Sequence, residues 1–289
     1  YQASWAQWPQ KIGNRRIRSS NSGQKMQIII SPAKKMNRDN DWMSARSVPV
    51  FLNDAAYLWE EIQRLDPVKQ KAMWKCSDKL AKENRQRFEE TDLSGDGAPL
   101  PAWTPALLAY EGIQYQYMAP KVFSQDQWEY VEKHLNILSG LYGILRPLDG
   151  VVPYRLEMQA ALPFGSTATL YAYWKDRIWK ELDRRIEGDK GRKVVVDLAS
   201  KEYSKCIRPY IGSDVSYITC TFAQMVSGKP KVRATLAKMA RGEMVRFLAE
   251  QNAQEPEQMK HFQGLGFSYV DELSRENEYV FICRRSKQD

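Results

Sequence analysis

Behind Met26 the chain opens on Gln27-Ile28-Ile29-Ile30, a β-branched run closed by Ser31-Pro32, which predicts a buried strand ending in a tight loop. Residues 54–90 are rich in helix formers and predict three helices. Asp54 would cap the first, Asp66-Pro67 start the second and Ser77-Asp78 the third. Gly and Pro over 91–104 predict a loop, and Pro105 suits a first helical turn. Ser124-Gln125-Asp126-Gln127 opens a further helix, expected to run to about Leu138, before Pro147, Gly150 and Pro153 break the pattern. Leu170, Tyr173, Trp174, Ile178, Trp179, Leu182 and Ile186 recur at a spacing of three or four, which predicts helix over 169–186. Strands are expected at 193–198 and 215–225, one helix over 231–251 with Gly242 an unfavourable interior residue, and a closing strand pair at 267–270 and 278–284. There is no long βαβα alternation and no internal repeat. The expected fold is α+β, or mixed α/β: a single compact domain over 26–289, with a mixed sheet and surrounding helices.

Composition narrows the class. The 289 residues are 43% hydrophobic and 27% charged, which is globular and excludes disorder of the whole chain. The longest apolar runs, Ile28 to Ile30 and Val194 to Val196, are strand-sized, so no spanning helix or membrane partner is expected. No signal-peptide core follows the N-terminus, and the expected compartment is the cytoplasm. The net charge of +8 comes from 43 basic and 35 acidic residues. Lys11, Arg15, Arg16, Arg18 and Lys25 fall within residues 1–25, which hold no acid, so the rest of the chain carries only +3. That segment has no clean periodicity. It reads as an appended or mistranslated basic extension with Met26 the natural start; the alternative is a basic arm that touches nucleic acid. The total charge alone therefore does not argue for DNA binding.

Cys76, Cys206, Cys220 and Cys283 are scattered, which fits small buried hydrophobes in a reducing compartment. His134 and His261 have no ligand-like spacing. Neither a metal site nor a histidine-based triad is expected, and no cofactor is called for.

Four segments carry candidate chemistry. Lys34 follows the first strand, where a lysine can enter a cleft to neutralise phosphate or act as base or nucleophile; the alternative is a solvated loop lysine. Residues 138–158 are dense in Gly, Pro, Tyr and charge. Gly140 and Gly143 suggest a tight turn whose N–H groups face phosphate, as in helix-hairpin-helix DNA readers, although two residues separate the glycines where one is usual. A supporting ion network of Arg146, Asp149, Arg155 and Glu157 is the competing reading. Ala199 to Lys205 brings Glu202, Tyr203 and Lys205 to a strand exit, as acid and base candidates or as an ordinary helix start capped by Ser200. On the 231–251 helix, Lys231, Lys238 and Arg241 share roughly one face, a phosphate-binding stripe or a solvated face.

Five stretches in this order resemble the YaaA family of bacterial peroxide stress-response proteins. They are Ile-Ser-Pro-Ala-Lys after the first strand, Leu-Ser-Gly-Leu-Tyr-Gly-Ile-Leu-Arg-Pro-Leu-Asp, Pro-Tyr-Arg-Leu-Glu-Met, Leu-Ala-Ser-Lys-Glu-Tyr-Ser-Lys, and the run from Ala237 to Phe247. The resemblance extends from about Met26 to Arg284. It implies a cytoplasmic protein induced by hydrogen peroxide that limits oxidative damage and free intracellular iron. It also implies a compact fold that binds duplex or branched DNA through a positively charged cleft and a helix-hairpin-helix element. The hairpin carries over to Gly140, Tyr142, Gly143 and Arg146. The cleft carries over to Lys34, Tyr154, Arg155, Glu157, Glu202, Tyr203, Lys205, Lys238, Arg241 and Arg246. The family pattern has two lysines where this chain has Lys238-Met239.

Two functional classes follow. The first is a DNA-binding monomer with no strong sequence preference, its iron effect indirect. The second is an enzyme acting on a nucleobase- or phosphate-bearing substrate in a pocket around Lys34, Glu157, Glu202 and Tyr203.

Overall fold

Ile28, Ile29 and Ile30 are all fully buried, so β1 (Lys25–Ile30) is covered on both faces and sits in the middle of the sheet. The computed structural model describes residues 25–38, 42–91, 93, 103–186 and 193–284. Apart from Lys25, the expected basic extension lies outside the described residues.

After β1 come the short β2 (Lys35–Met36) and three helices, α1 (Leu52–Gln63), α2 (Pro67–Trp74) and α3 (Asp78–Glu90). Asp66 caps α2 by accepting from the N–H groups of Val68 and Lys69, and Ser77 caps α3. Asp54 does not cap α1. Phe51 holds that position, and Asp54 lies within the first turn, accepting from the Tyr173 hydroxyl at 2.8 Å and pairing with Arg177. A long-range partner has taken the carboxylate that a local cap would use.

β3 (Thr104–Pro105), α4 (Ala106–Ala109), β4 (Tyr110–Glu111) and α5 (Ile113–Met118) follow, then α6 (Gln125–His134), opened by the Ser124–Gln127 capping box. α6 stops four residues short of the expected Leu138. Its last residue, His134, donates from Nδ1 to the Met26 carbonyl at 2.7 Å, and the next five residues form β5 (Leu135–Ser139) beside β1. Pairing with a buried strand overrides the local helical pattern.

β5 turns directly into β6 (Gly143–Leu145), with Ser139 opposite Gly143. Gly140 to Gly143 is thus the turn of a β-hairpin, not a turn between two helices. Gly140 is required because an added Cβ would sit 2.4 Å from the Leu156 carbonyl oxygen. β7 (Gly150–Val151) pairs with β3. The helix expected over 169–186 is two, α7 (Leu170–Trp174) and α8 (Arg177–Ile186), because Lys175 between them has φ 47°.

β8 (Lys193–Asp197), α9 (Lys201–Ser204) and β9 (Val215–Val226) come next. β10 (Lys229–Lys231) returns along β9 through a two-residue turn with positive φ at Ser227 and Gly228. This tight turn takes Lys231 out of the expected helix, so α10 spans Ala234–Glu250. β11 (Phe267–Tyr269) and β12 (Glu278–Cys283) are the antiparallel closing pair.

The main sheet has the order β11-β12-β9-β8-β1-β5-β6, with β10 added to β9. β12, β9, β8, β1 and β5 run parallel, while β11, β6 and β10 are antiparallel to their neighbours. This is the single mixed α+β domain with a mixed sheet. Its parallel centre brings the carboxyl ends of five strands to one edge. Among the described residues, no helix is long and apolar enough to cross a membrane.

α10 lies across α5, and the contact explains Gly242. A Cβ there would fall 2.0 Å from the Gln114 carbonyl oxygen. Gly242→Ala is expected to force the helices apart and to lower stability by about 3 kcal/mol, at the upper end of overpacking effects. Urea unfolding checks this, and an unchanged midpoint would contradict the packing described.

Candidate functional site

The chain leaves β1 for β5 on one side, and β8 later docks on the other. That makes the carboxyl end of β1 a switch point, the position where open α/β sheets place ligands. Ser31 closes the gap between β1 and β8: its Oγ accepts from the Ser200 N–H at 2.8 Å, and its carbonyl accepts from the Tyr115 hydroxyl at 3.0 Å. Lys34 follows on the exposed loop with its Nζ 3.0 Å from Glu157 Oε2. Glu157 is also held by Arg155, Nη2 to Oε1 at 2.9 Å, while Arg155 Nε donates to the Trp74 carbonyl at the end of α2.

Glu202, half-buried on α9, accepts from the Gln159 N–H at 3.3 Å. Burial pushes its carboxyl above the usual range and the nearby Glu157 charge adds to this, against the pull of the Gln159 N–H and Lys34. The Tyr203 hydroxyl is buried beside it and raised, chiefly by burial. Lys34, Glu157, Glu202 and Tyr203 are therefore brought together from three distant segments. Tyr154 serves a different role. Its hydroxyl lies 2.6 Å from Ser139 Oγ and 2.8 Å from the Tyr110 hydroxyl, and burial pushes it up to about 12, so it is a core hydrogen-bonding group.

α9 divides this cluster from a cavity of about 820 Å³. Lys201, Ser204 and Lys205 turn to the cavity side, joined by Arg208. Its floor is Asp197, the last residue of β8. Asp197 accepts from the Ala199 N–H at 2.8 Å, the Ser204 hydroxyl at 2.6 Å and the Tyr217 hydroxyl at 2.7 Å. Burial pushes its carboxyl up, and these donors oppose the shift. Arg241 of α10 reaches the cavity from the opposite wall.

The other candidates are dispersed. Gly140, Tyr142 and Gly143 are buried within the β-hairpin, where the Tyr142 hydroxyl accepts from the Val152 N–H. Arg146 lies at the opposite edge of the sheet, beside Gln27, Asn136 and Arg185 around a cavity of about 270 Å³. The reason is strand direction: β6 runs antiparallel to β5 and carries Arg146 away from the carboxyl edge. The expected ion network is accordingly split. Arg155 pairs with Glu157, while Asp149 accepts from the Arg146 N–H at the far end. Lys205 lies over the Tyr171 ring at 4.7 Å, Lys238 is exposed on α10, and Arg246 pairs with Glu250.

Sequence reasoning missed Asp197, Lys201 and Arg208, together with the β9–β10 ribbon and its Lys229. A signal for the ribbon was present. Residues 215–242 contain Lys229, Lys231, Arg233, Lys238 and Arg241 and no Asp or Glu.

These features define a mixed-sheet protein whose ionisable groups gather at the carboxyl edge of a parallel core. The chain belongs to the family described as Peroxide stress protein YaaA, which matches residues 26–273. It is 47% identical over 257 residues to a UPF0246 protein of Desulfitobacterium hafniense, covering 89% of this chain and 98% of the relative. A UPF0246 protein of Agathobacter rectalis is 45% identical over 256 residues, with the same coverage. One of Lactiplantibacillus plantarum is 45% identical over 257 residues, covering 89% and 99%.

A carboxyl raised in the folded state favours protonation there. Its contribution to stability is full below the unfolded value of about 4.3 and is lost as pH rises through the folded one. Glu202→Gln is therefore expected to raise the urea midpoint at about pH 8 and to lose that advantage towards about pH 4. Equal midpoints for the two proteins at the higher pH would contradict this environment for Glu202.

Proposed function

We propose that this peroxide stress family member binds double-stranded or branched DNA without strong sequence preference, acting in the cytoplasm as a monomer and so limiting oxidative damage. One observation carries the reading. Lys201, Lys205, Arg208, Lys229, Lys231 and Arg233 are all exposed around the cavity mouth and the adjoining ribbon. None of them is ion-paired among the described residues. Unpaired cations on one face are the electrostatic footprint of a phosphate backbone. The ribbon adds shape, because a two-stranded antiparallel arm fits a duplex groove.

In this reading the helix-hairpin-helix role passes from 140–146 to α2 and α3. Lys75, Cys76 and Ser77 join them, with Lys75 left-handed, and Arg155 ties the end of α2 to the Glu157 cluster. Such a turn presents backbone N–H groups to phosphate without reading bases. The fall in free iron follows indirectly, through protection of DNA. Stoichiometric, tight iron binding by the purified protein would overturn that route.

Binding to duplex and four-way junction DNA over a salt series tests the main reading. Lys231→Gln combined with Arg233→Gln is expected to reduce the salt slope by about 2, roughly one per lost phosphate contact. An absence of affinity, or a slope untouched by the double substitution, would sink it.

The convergence of Lys34, Glu157 and Glu202 supports a second reading, an enzyme acting on a nucleobase- or phosphate-bearing substrate. Lys34→Ala separates the two. On the binding reading DNA affinity falls modestly and nothing else changes; on the enzymatic reading fold and affinity persist while a turnover disappears.

A further inference from the structure

The 820 Å³ cavity beside α9 is lined by the guanidinium of Arg241. Arg241 Nε is buried and has no hydrogen-bond partner among the described residues. Asp197, which lines the same cavity, makes its hydrogen bonds with the Ala199 N–H and the hydroxyls of Ser204 and Tyr217 and none with Arg241. Asp197 acts on Arg241 through its charge alone. A buried donor without a partner calls for an explanation, and an anionic ligand would satisfy it.

The surroundings define which anion. Lys201, Lys205 and Arg208 stand at the rim, so four cations face the two carboxylates of Asp197 and Glu278. Glu278 lies at the far side, within 3.4 Å of the Thr221 hydroxyl. Cys220, Phe222, Val232 and Ala237 add an apolar part to the wall, beside the hydroxyls of Thr219 and Thr221. The volume lies within the usual range for organic ligands, about 300–1,000 Å³. Inorganic phosphate would leave most of it unfilled. Its position next to the β1–β8 switch point is one where parallel sheets bind nucleotides.

We propose that this cavity binds a single nucleotide, its phosphate on Arg241 with Lys201, Lys205 and Arg208 at the rim, and its base and sugar against the Cys220–Phe222 strand and the Val232–Ala237 wall. The nucleotide is either free or a residue turned out of DNA; the chemistry recognised is the same. The site goes beyond duplex binding, which shares the rim cations Lys201, Lys205 and Arg208 and adds the exposed ribbon but does not require the cavity to be filled.

Equilibrium dialysis of the full chain with the four 2′-deoxynucleoside 5′-monophosphates tests the proposal, with the unphosphorylated deoxynucleosides as controls. At least one monophosphate is expected to bind once per chain, and its deoxynucleoside to bind at least about tenfold more weakly. Arg241→Gln should weaken binding by about tenfold or more. Lys205→Gln, on the exposed rim, should weaken it to a smaller degree without any burden on folding. Ala237→Leu should block the apolar part of the cavity. Thermal unfolding of each variant separates loss of the site from loss of the fold.

If no monophosphate binds at about millimolar concentration, or if Arg241→Gln and Lys205→Gln both leave binding unchanged, the proposal is overturned. Duplex binding that survives such a result leaves the DNA reading standing. Mononucleotide binding without duplex binding overturns the DNA reading and keeps the cavity. A duplex carrying one unpaired nucleotide then identifies the source. Displacement of the bound monophosphate by this duplex, but not by a fully paired one, assigns the cavity to a nucleotide of DNA; failure of both to displace it assigns the cavity to a free nucleotide.

Discussion

The pairing of β1 with β5 on one side and β8 on the other is the constraint on which the rest of the molecule depends. A parallel strand covered on both faces needs side chains that are apolar or fully hydrogen-bonded; Ile28-Ile29-Ile30 meets that need without alternation, and buried Gln27 meets it through Lys133 and Asn136. Once β1 is central, the strand ends on either side of it must open towards a common edge. Ser31 and Ser200 join the two loops there, so the segments around Lys34 and Glu202 cannot lie elsewhere.

α9 distributes the chemistry of that edge. It is four residues long and leaves the strand just after Asp197, whose side-chain oxygens cap the Ala199 N–H and hold Ser204. This fixes the rotation of the helix. Glu202 and Tyr203 then face the Lys34 and Glu157 cluster, while Lys201, Ser204 and Lys205 face the cavity. A buried carboxyl group held by three donors is thus a positioning element here, and among the described residues it makes no hydrogen bond with Arg241.

Much of this was legible in the residues. The apolar strand runs, the Asp66 and Ser77 caps and the closing strand pair all rest on local signals, and local structure followed them. The convergence of Lys34, Glu157 and Glu202 was legible because each lies at a strand exit or in a glycine- and proline-rich loop. Other readings failed where a distant partner outweighed the local pattern. Leu135 to Leu138 continues a helical periodicity yet pairs with β1. Gly140 and Gly143 sit in a β-hairpin because the flanking segments belong to the sheet. Lys231 left its expected helix because Ser227-Gly228 folds it back along β9.

The sequence by itself determined which segments are apolar enough to be strands, where most helices begin and which residues bear chemistry, because these depend on side-chain pattern and on contacts within a few positions. Only the tertiary structure decided which charged residues share a surface. Strand direction sent Arg146 to one edge, the packing of α10 brought Arg241 to the other, and a helix of four residues separated Glu202 from Lys205. Those outcomes depend on how strands pair, from the β5–β6 hairpin to β1 with β5 and β8 more than a hundred residues away, and side-chain pattern alone does not encode the order or direction in which strands come together.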